Sequence, residues 1–127
     1  MKSMQTPLKR VRYLGSAKEG TDHFWKQRVT AVSNAVLALF LVWLIVTLVG
    51  ADHVAAKQKL ANPLIALALL GLIVSGTIHM RIGMQTIIED YVHGEGTKIV
   101  ALVLNTFFAV FIALASVFSI LKLSFGA

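Results

Sequence analysis

The chain has 127 residues, of which 57% are hydrophobic and 14% are charged, and its formal net charge is +6. A soluble domain of this size buries only a limited fraction of its surface, and it usually carries about 25% charged residues. The composition therefore excludes an ordinary water-soluble globule and predicts one small membrane domain. Because the chain has no cysteine, it supplies no disulfides, thiolate metal ligands or iron–sulfur ligands.

Residues 1–28 form a polar N-terminal arm that precedes the first apolar segment. Most of the positive charges of the chain lie in this arm, at Lys2, Lys9, Arg10, Arg12, Lys18, Lys26 and Arg28. Beside a membrane span, such an arm is most simply explained by attraction to anionic lipid or to a cytosolic partner. We therefore expect no binding to nucleic acid. The arm and the apolar segment after it are also longer than those of a secretory signal peptide.

Three apolar segments, at about 29–49, 64–84 and 99–121, predict an all-α transmembrane domain over residues 29–127. A hydrocarbon core of about 30 Å requires about 20 helical residues, and an open-ended segment in lipid satisfies its backbone only as a helix. The first and third segments contain no charged residue. The second segment reaches the required length only if His79 lies in the membrane, which suggests that His79 has a partner there.

The distribution of Lys and Arg predicts the orientation, because positive charge collects on the cytoplasmic side of a membrane. We place the basic arm and the second loop, with Arg81 and Lys98, on the cytoplasmic side. The first loop, with Lys57 and Lys59, and the C-terminus are then periplasmic. Short loops and the lack of a clear transit peptide favour a bacterial inner membrane over a mitochondrial one.

His79 is the first candidate for a functional residue, because an imidazole inside a bilayer is costly unless it is bonded or coordinated. Ser75, Gly76 and Gly83 share a helical face with it. These small residues either leave a flat recess that suits a planar ligand such as a haem, or permit a close contact between helices. A haem would also require a second axial ligand from another subunit, because the other histidines lie in flanking segments.

Asp90, Tyr91 and Arg28 are further candidates near the same predicted membrane surface. If the second helix continues, Asp90 returns to the face of His79 about 16 Å further along, and Tyr91 points about 120° away. Tyr91 is either an interfacial aromatic residue or a donor to an amphiphilic ligand, with Asp90 moving protons. Arg28 either anchors the topology or pairs with carboxylates such as haem propionates.

The segment that begins at His79 resembles the signature of the membrane-anchor D subunit of succinate dehydrogenase, which is respiratory complex II. That family has a haem-ligating His, then Gly-Met four and five positions later, and Asp-Tyr eleven and twelve positions later. Gly83-Met84 and Asp90-Tyr91 match these spacings. The resemblance covers most of the chain, although residues 1 to about 20 carry no matching motif.

The resemblance implies that this chain forms half of a six-helix anchor bundle with a second anchor subunit, C. It also implies a b-type haem between the two subunits, with His79 as one axial ligand of the iron. Arg28, in a segment similar to the Arg-x-Thr-Ala entry of the family's first span, would lie near a haem propionate. Tyr91 would donate a hydrogen bond to ubiquinone, and Asp90 would assist proton transfer.

By the same resemblance, an iron–sulfur subunit and a flavoprotein subunit carry the iron–sulfur clusters and the FAD. Succinate would be oxidised on the flavoprotein, and electrons would reach ubiquinone beside Tyr91, so this chain is non-catalytic alone. The haem would serve either as an electron reservoir or as a structural element.

Two other classes of protein remain possible from the sequence. A cytochrome b anchor of another membrane dehydrogenase usually needs more intramembrane histidines than this chain offers. A small transporter or scaffold protein would want an ionisable residue inside a span, and the first and third segments have none.

Overall fold

The computed structural model describes residues 6–8 and 19–126. Over residues 19–126 the chain forms three long helices and one short helix. They are α1 (Glu19–Leu48), α2 (His53–Leu60), α3 (Pro63–Tyr91) and α4 (Glu95–Ser124). Each long helix has the length and the apolar composition to cross a bilayer. The predicted all-α fold with three transmembrane helices is therefore confirmed.

The long helices are longer than a bilayer core requires. With a rise of 1.5 Å per residue, the 29 residues of α3 measure about 43 Å, compared with about 30 Å of hydrocarbon. Each long helix therefore reaches into the headgroup layer. Because α1 begins at Glu19, the last residues of the predicted arm are helical. The described residues do not include the other basic residues of the arm, Lys2, Lys9, Arg10, Arg12 and Lys18.

α3 continues without a break from Pro63 to Tyr91, so the condition for placing Asp90 on the face of His79 is met. The assignment of Arg81 and Lys98 to the second loop is wrong. Arg81 lies inside α3, about 15 Å before its end, and Lys98 lies in the first turn of α4. The apolar run ends near Arg81, but the helical backbone continues through it. The loop between α3 and α4 is thus only residues 92–94.

The helix ends follow local side-chain chemistry. Asn62 Oδ1 accepts a hydrogen bond from the backbone N–H of Leu64 at 2.9 Å, and Pro63 occupies the first turn of α3, where its missing N–H costs nothing. Asp52 caps α2 in the same way. Gly50 follows α1 with a φ of +78°, a left-handed conformation that glycine adopts without strain. These caps explain why the chain turns where the apolar segments end.

α3 is the central helix of the bundle, with α1 and α4 packed on different faces of it. On one side, the Ser75 hydroxyl donates to the Thr30 carbonyl at 3.3 Å. On the other side, the Asn105 side-chain amide donates to the Arg81 carbonyl at 2.9 Å. Thr30, Ser75 and Asn105 are all buried. Such polar contacts contribute to helix association in lipid, where the hydrophobic effect does not drive it.

Most large apolar side chains lie on the outside of the described bundle, and few side chains are buried within it. The buried apolar residues are Leu44, Ala66, Ile82, Ile88 and Ala109. An outer surface of exposed Val, Leu and Phe side chains suits contact with lipid tails or with another membrane-embedded chain.

The connecting segments lie at the two ends of the bundle in the arrangement that the sequence predicts. The first turns of α1 lie beside the C-terminal half of α3, where both helices line one groove. α2 contacts the other end of the bundle, on α3 and α4. The start of α1 and residues 92–94 therefore share one end, and the first loop and the end of α4 share the other. Which end faces the cytoplasm stays a prediction.

Replacing Asn105 with leucine is expected to weaken the contact between α3 and α4 by about 1 kcal/mol, because the Arg81 carbonyl loses its interhelical donor. Unfolding of the purified protein in mixed micelles measures this loss. Thr77→Val is the matched control, since the Thr77 hydroxyl bonds only carbonyls of its own helix. Equal destabilisation by both variants would contradict the assigned role of Asn105.

Candidate functional site

An open groove of about 520 Å³ lies between the start of α1 and the C-terminal half of α3. Among its lining residues are Arg28 from α1 and His79 from α3, so the fold brings together two of the predicted site residues. Ile82, Thr86 and Glu89 continue the α3 wall toward the end of that helix. The groove therefore runs from the membrane-embedded His79 toward the surface.

The contacts of His79 indicate which of its ring nitrogens carries the proton. Its Nδ1 lies 3.1 Å from the Thr30 hydroxyl oxygen, and that hydroxyl lies 2.6 Å from the Lys26 carbonyl. A hydroxyl has one proton to donate, and the shorter contact, to a pure acceptor, uses it. We therefore assign the proton to His79 Nδ1, which makes Nδ1 the donor to Thr30. In the neutral ring, this assignment leaves Nε2 with a free lone pair, as a metal-ligating histidine requires.

Thr30 is the residue that joins α1 to this part of α3. Its side chain accepts from His79, its carbonyl accepts from Ser75, and it is buried. The sequence did not single out Thr30 as a site residue. Thr30 lies on the face of α1 that is turned toward His79. This placement depends on the rotation of α1 against α3, which the sequence does not show.

Arg28 lies at the groove with its guanidinium 4.4 Å from the centre of the Phe24 ring. This cation–π contact stabilises the cation by about 0.5–1 kcal/mol at an exposed site. The ion pair among the described residues joins Lys26 to Asp22. No described carboxylate therefore forms an ion pair with Arg28. The guanidinium therefore keeps its capacity to bind an anionic group in the groove.

The small residues around His79 have different surroundings. A Cβ atom on Gly83 would lie 3.3 Å from Gln27 Nε2, whereas one on Gly76 would meet nothing within 4 Å. Ser75 is buried against α1. Ser75 and Gly83 thus permit the close contact between α1 and α3, which was one of the two interpretations of this stripe. Gly76 leaves an open surface beside His79.

Asp90 and Tyr91 lie at the end of α3 and are exposed. Tyr91 is 77% exposed, and it follows Met84 and Ile88 by seven and three residues, which places it on their helical stripe. Met84 and Ile88 line a second groove, of about 380 Å³, between α3 and α4. The structure therefore does not bring Tyr91 into the groove of His79; the two residues lie on different faces of α3.

Two further groove residues, His23 and Gln27, were not predicted as part of the site. Gln27 Oε1 is buried and has no hydrogen-bond partner, which leaves an acceptor at the wall of the groove. His23, Gln27 and Thr30 are spaced by four and three residues, the spacing of one helical face. This spacing could have identified the face from the sequence, but charged residues such as Lys26 and Arg28 interrupt the pattern.

His79 is a single candidate metal ligand. Among the residues that the structure describes, no three His, Cys, Asp or Glu side chains are placed to hold a metal ion together. A metal centre at His79 would therefore need its remaining ligands from a porphyrin or from another chain. The fold and the site together define a multi-pass helical membrane protein in which the imidazole of His79 faces a groove that opens to the surface.

The family follows from comparison with known proteins. The family model described as succinate dehydrogenase/fumarate reductase transmembrane subunit matches residues 2–117, and the chain belongs to this family. It is a membrane anchor subunit of the succinate dehydrogenase type, as the resemblance of the segment from His79 to Tyr91 predicted. No solved structure matches the chain at a significant level.

Several curated relatives carry the same description. The succinate dehydrogenase hydrophobic membrane anchor subunit of Paracoccus denitrificans is 30% identical over 122 residues, covering 96% of this chain and 94% of the relative. The succinate dehydrogenase membrane anchor subunit of Reclinomonas americana is 33% identical over 90 residues, covering 68% and 75%. The Rickettsia conorii hydrophobic membrane anchor subunit is 34% identical over 79 residues, covering 61% and 63%.

Proposed function

We propose that this chain anchors a succinate:ubiquinone oxidoreductase to the membrane, provides one axial ligand to a shared b-type haem, and contributes to the quinone-reduction site. The observation that carries the proposal is the contact of His79 with Thr30. The His79 Nδ1 donates to Thr30, so its Nε2 lone pair is available to a haem iron. A hydrogen bond of this kind fixes the orientation of a ligating imidazole and increases its basicity.

Three features suit a haem. The groove is lined by Arg28 from α1 and by His79 from α3, so a cation is available for a propionate while the imidazole is available for the iron. Arg28 engages no described carboxylate. The Gly76 surface beside His79 is open. A haem bound here would supply one-electron redox chemistry, with a potential set by its ligands, burial and hydrogen bonds.

The second axial ligand is expected from the other anchor subunit. His23 lines the same groove, but it lies seven residues before Thr30, about 10 Å along α1. Thr30 is the residue of α1 that contacts His79. His23 thus lies about two helical turns from the contact of α1 with His79, and the resemblance to the family assigns the second ligand to the other anchor subunit.

Tyr91 and Asp90 form this chain's part of the quinone site in our proposal. Reduction of ubiquinone to quinol takes up two electrons and two protons. The exposed Tyr91 hydroxyl donates to a quinone carbonyl and polarises it, while the exposed Asp90 carboxyl connects the site to water. Because Tyr91 is 77% exposed in this chain, the rest of the site has to come from other subunits.

The assembly that we infer has four different chains. A second anchor subunit completes a six-helix bundle, and an iron–sulfur subunit docks on the surface near Tyr91 and the N-terminal arm. A flavoprotein subunit oxidises succinate with FAD. We place the complex in a bacterial inner membrane, with the N-terminus of this chain cytoplasmic and its C-terminus periplasmic, because Lys and Arg concentrate in the arm.

Purification of the tagged chain with its native partners tests the proposed function. We expect a reduced-minus-oxidised spectrum of a b-type haem and a co-purifying flavoprotein that oxidises succinate. A b-type spectrum with a different dehydrogenase would favour the cytochrome b anchor instead. Absence of both haem and a soluble partner would refute the proposal.

Thr30→Val is expected to perturb the haem, because the half-buried His79 Nδ1–H loses its acceptor at a cost of about 1 kcal/mol. Thr30→Ser keeps the hydroxyl and should retain the wild-type properties. Haem content, the midpoint potential and the electron paramagnetic resonance of the oxidised complex measure the effect. Identical haem properties in both variants would remove Thr30 as the residue that orients His79.

A further inference from the structure

Arg81 is a charged residue inside an otherwise apolar stretch of α3, and the proposed function gives it no role. It lies two positions after His79, so its side chain starts on nearly the opposite face of the helix, about 200° away. If the hydrocarbon core is centred on the 29 residues of α3, Arg81 lies about 8 Å inside the boundary nearer Tyr91. A long arginine side chain at this depth can still reach the headgroup layer.

The Arg81 side chain contacts α4 through its Nε atom. Its Nε donates to the Thr106 hydroxyl oxygen at 3.3 Å, while the Thr106 hydroxyl donates to the Leu102 carbonyl at 3.0 Å. The neighbouring Asn105 binds the Arg81 carbonyl. These bonds fix the guanidinium through its Nε and leave its two terminal amino groups to form a planar fork. Such a fork matches two oxygens of a phosphate or carboxylate.

The guanidinium of Arg81 forms no ion pair with a carboxylate of the described residues, whose ion pair is that of Lys26 with Asp22. The Arg81 side chain is exposed. An unpaired guanidinium at this depth is costly in a bilayer, so an ionisable residue here indicates a specific anionic partner. The groove of His79 does not supply it, because Arg81 faces α4.

We propose that Arg81 and Thr106 bind the headgroup phosphate of an anionic phospholipid. Beside them, Leu102, Val103 and Phe107 join Thr106 in a shallow, largely apolar groove of about 320 Å³. Thr106 thus belongs both to the bond that orients the guanidinium and to the surface that would take an acyl chain. A cation at the rim of an apolar groove is complementary to a phospholipid, which has a negative headgroup and apolar tails. The expected cytoplasmic leaflet is the one rich in anionic lipid.

Lipid binding to the intact, purified complex tests this site. The complex is delipidated, supplied with phosphatidylglycerol or with phosphatidylcholine of the same chains, and analysed by native mass spectrometry and thermal unfolding. The wild type should retain phosphatidylglycerol and gain thermal stability from it, and it should respond less to phosphatidylcholine. Arg81→Gln should weaken phosphatidylglycerol binding about tenfold, since a charge-assisted hydrogen-bonded contact is lost.

Three variants make the test specific. Arg81→Lys keeps the charge without the fork and should bind with intermediate affinity, and Thr106→Val should weaken binding by releasing the Nε anchor. Lys26→Gln removes one charge at the same end of the bundle and should bind as the wild type does. All these variants should keep the haem spectrum of the wild type, which separates this site from the proposed function.

Two results would overturn the lipid site. Unchanged phosphatidylglycerol binding by Arg81→Gln would show that the lipid is held elsewhere. Loss of another subunit from the Arg81→Gln complex, with unchanged lipid binding by what remains, would assign the guanidinium to a carboxylate of that subunit.

Discussion

Replacing His79 with leucine is expected to abolish the b-type haem spectrum of the purified complex. Leucine fills a similar volume but has no nitrogen for the iron, and the contact with the Thr30 hydroxyl is lost as well. Among the described residues no other histidine contacts Thr30, so this chain offers no replacement for His79 at that position. The reduced-minus-oxidised spectrum, with haem quantified by pyridine extraction, measures the loss.

The matched control for His79→Leu is His93→Leu, which removes an imidazole that is exposed in the short turn after α3. This variant should keep a full complement of haem. Because loss of haem also follows failed assembly, a His79→Gly variant is supplied with imidazole, which can enter the space left in the open groove. Recovery of the spectrum by imidazole supports ligation by His79. A wild-type spectrum in His79→Leu would remove this residue as the ligand.

The number of membrane crossings could be predicted from the sequence because helices are the only stable open-ended structure in lipid. The exact helix ends could not, as Arg81 illustrates. Hydropathy falls near that residue, yet α3 continues to Tyr91, because helical backbone bonds persist wherever no proline or cap interrupts them. Arg81 was therefore assigned to a loop, although it belongs to the part of α3 that extends toward the surface.

The site was predictable to the extent that it depends on one helix. The spacing from His79 to Asp90 and the position of Tyr91 on another stripe follow from 3.6 residues per turn. The contact of Thr30 with His79 and the wall formed by Gln27 depend on the rotation of α1 against α3. That rotation results from packing at small residues such as Gly83, and a single sequence does not reveal it.

The separation of His79 and Tyr91 on α3 has a consequence for the proposed assembly. The imidazole faces the groove beside α1, whereas Tyr91 belongs to the stripe of Met84 and Ile88 near α4. A single partner helix docked over the groove would not cover both. We therefore expect the haem and the quinone to be enclosed by different surfaces of the other subunits, with α3 as the common element.

This arrangement predicts that the two sites can be impaired independently. Tyr91→Phe is expected to lower the kcat/KM for ubiquinone reduction by succinate about tenfold, because the quinone carbonyl loses a hydrogen bond worth about 1.5 kcal/mol. The ring remains at the interface, so anchoring should persist. Steady-state assays with a short-chain ubiquinone measure the loss.

Succinate oxidation with an artificial dye that accepts electrons upstream of the membrane is the internal control, and Tyr91→Phe should leave it intact. The haem spectrum should also stay unchanged, since Tyr91 does not line the groove of His79. His93→Leu, two residues after Tyr91 in the exposed turn that follows α3, is the matched control and should keep full quinone activity. Equal loss of dye and quinone reduction in Tyr91→Phe would place the defect in assembly and would refute the hydrogen bond from Tyr91 to the quinone.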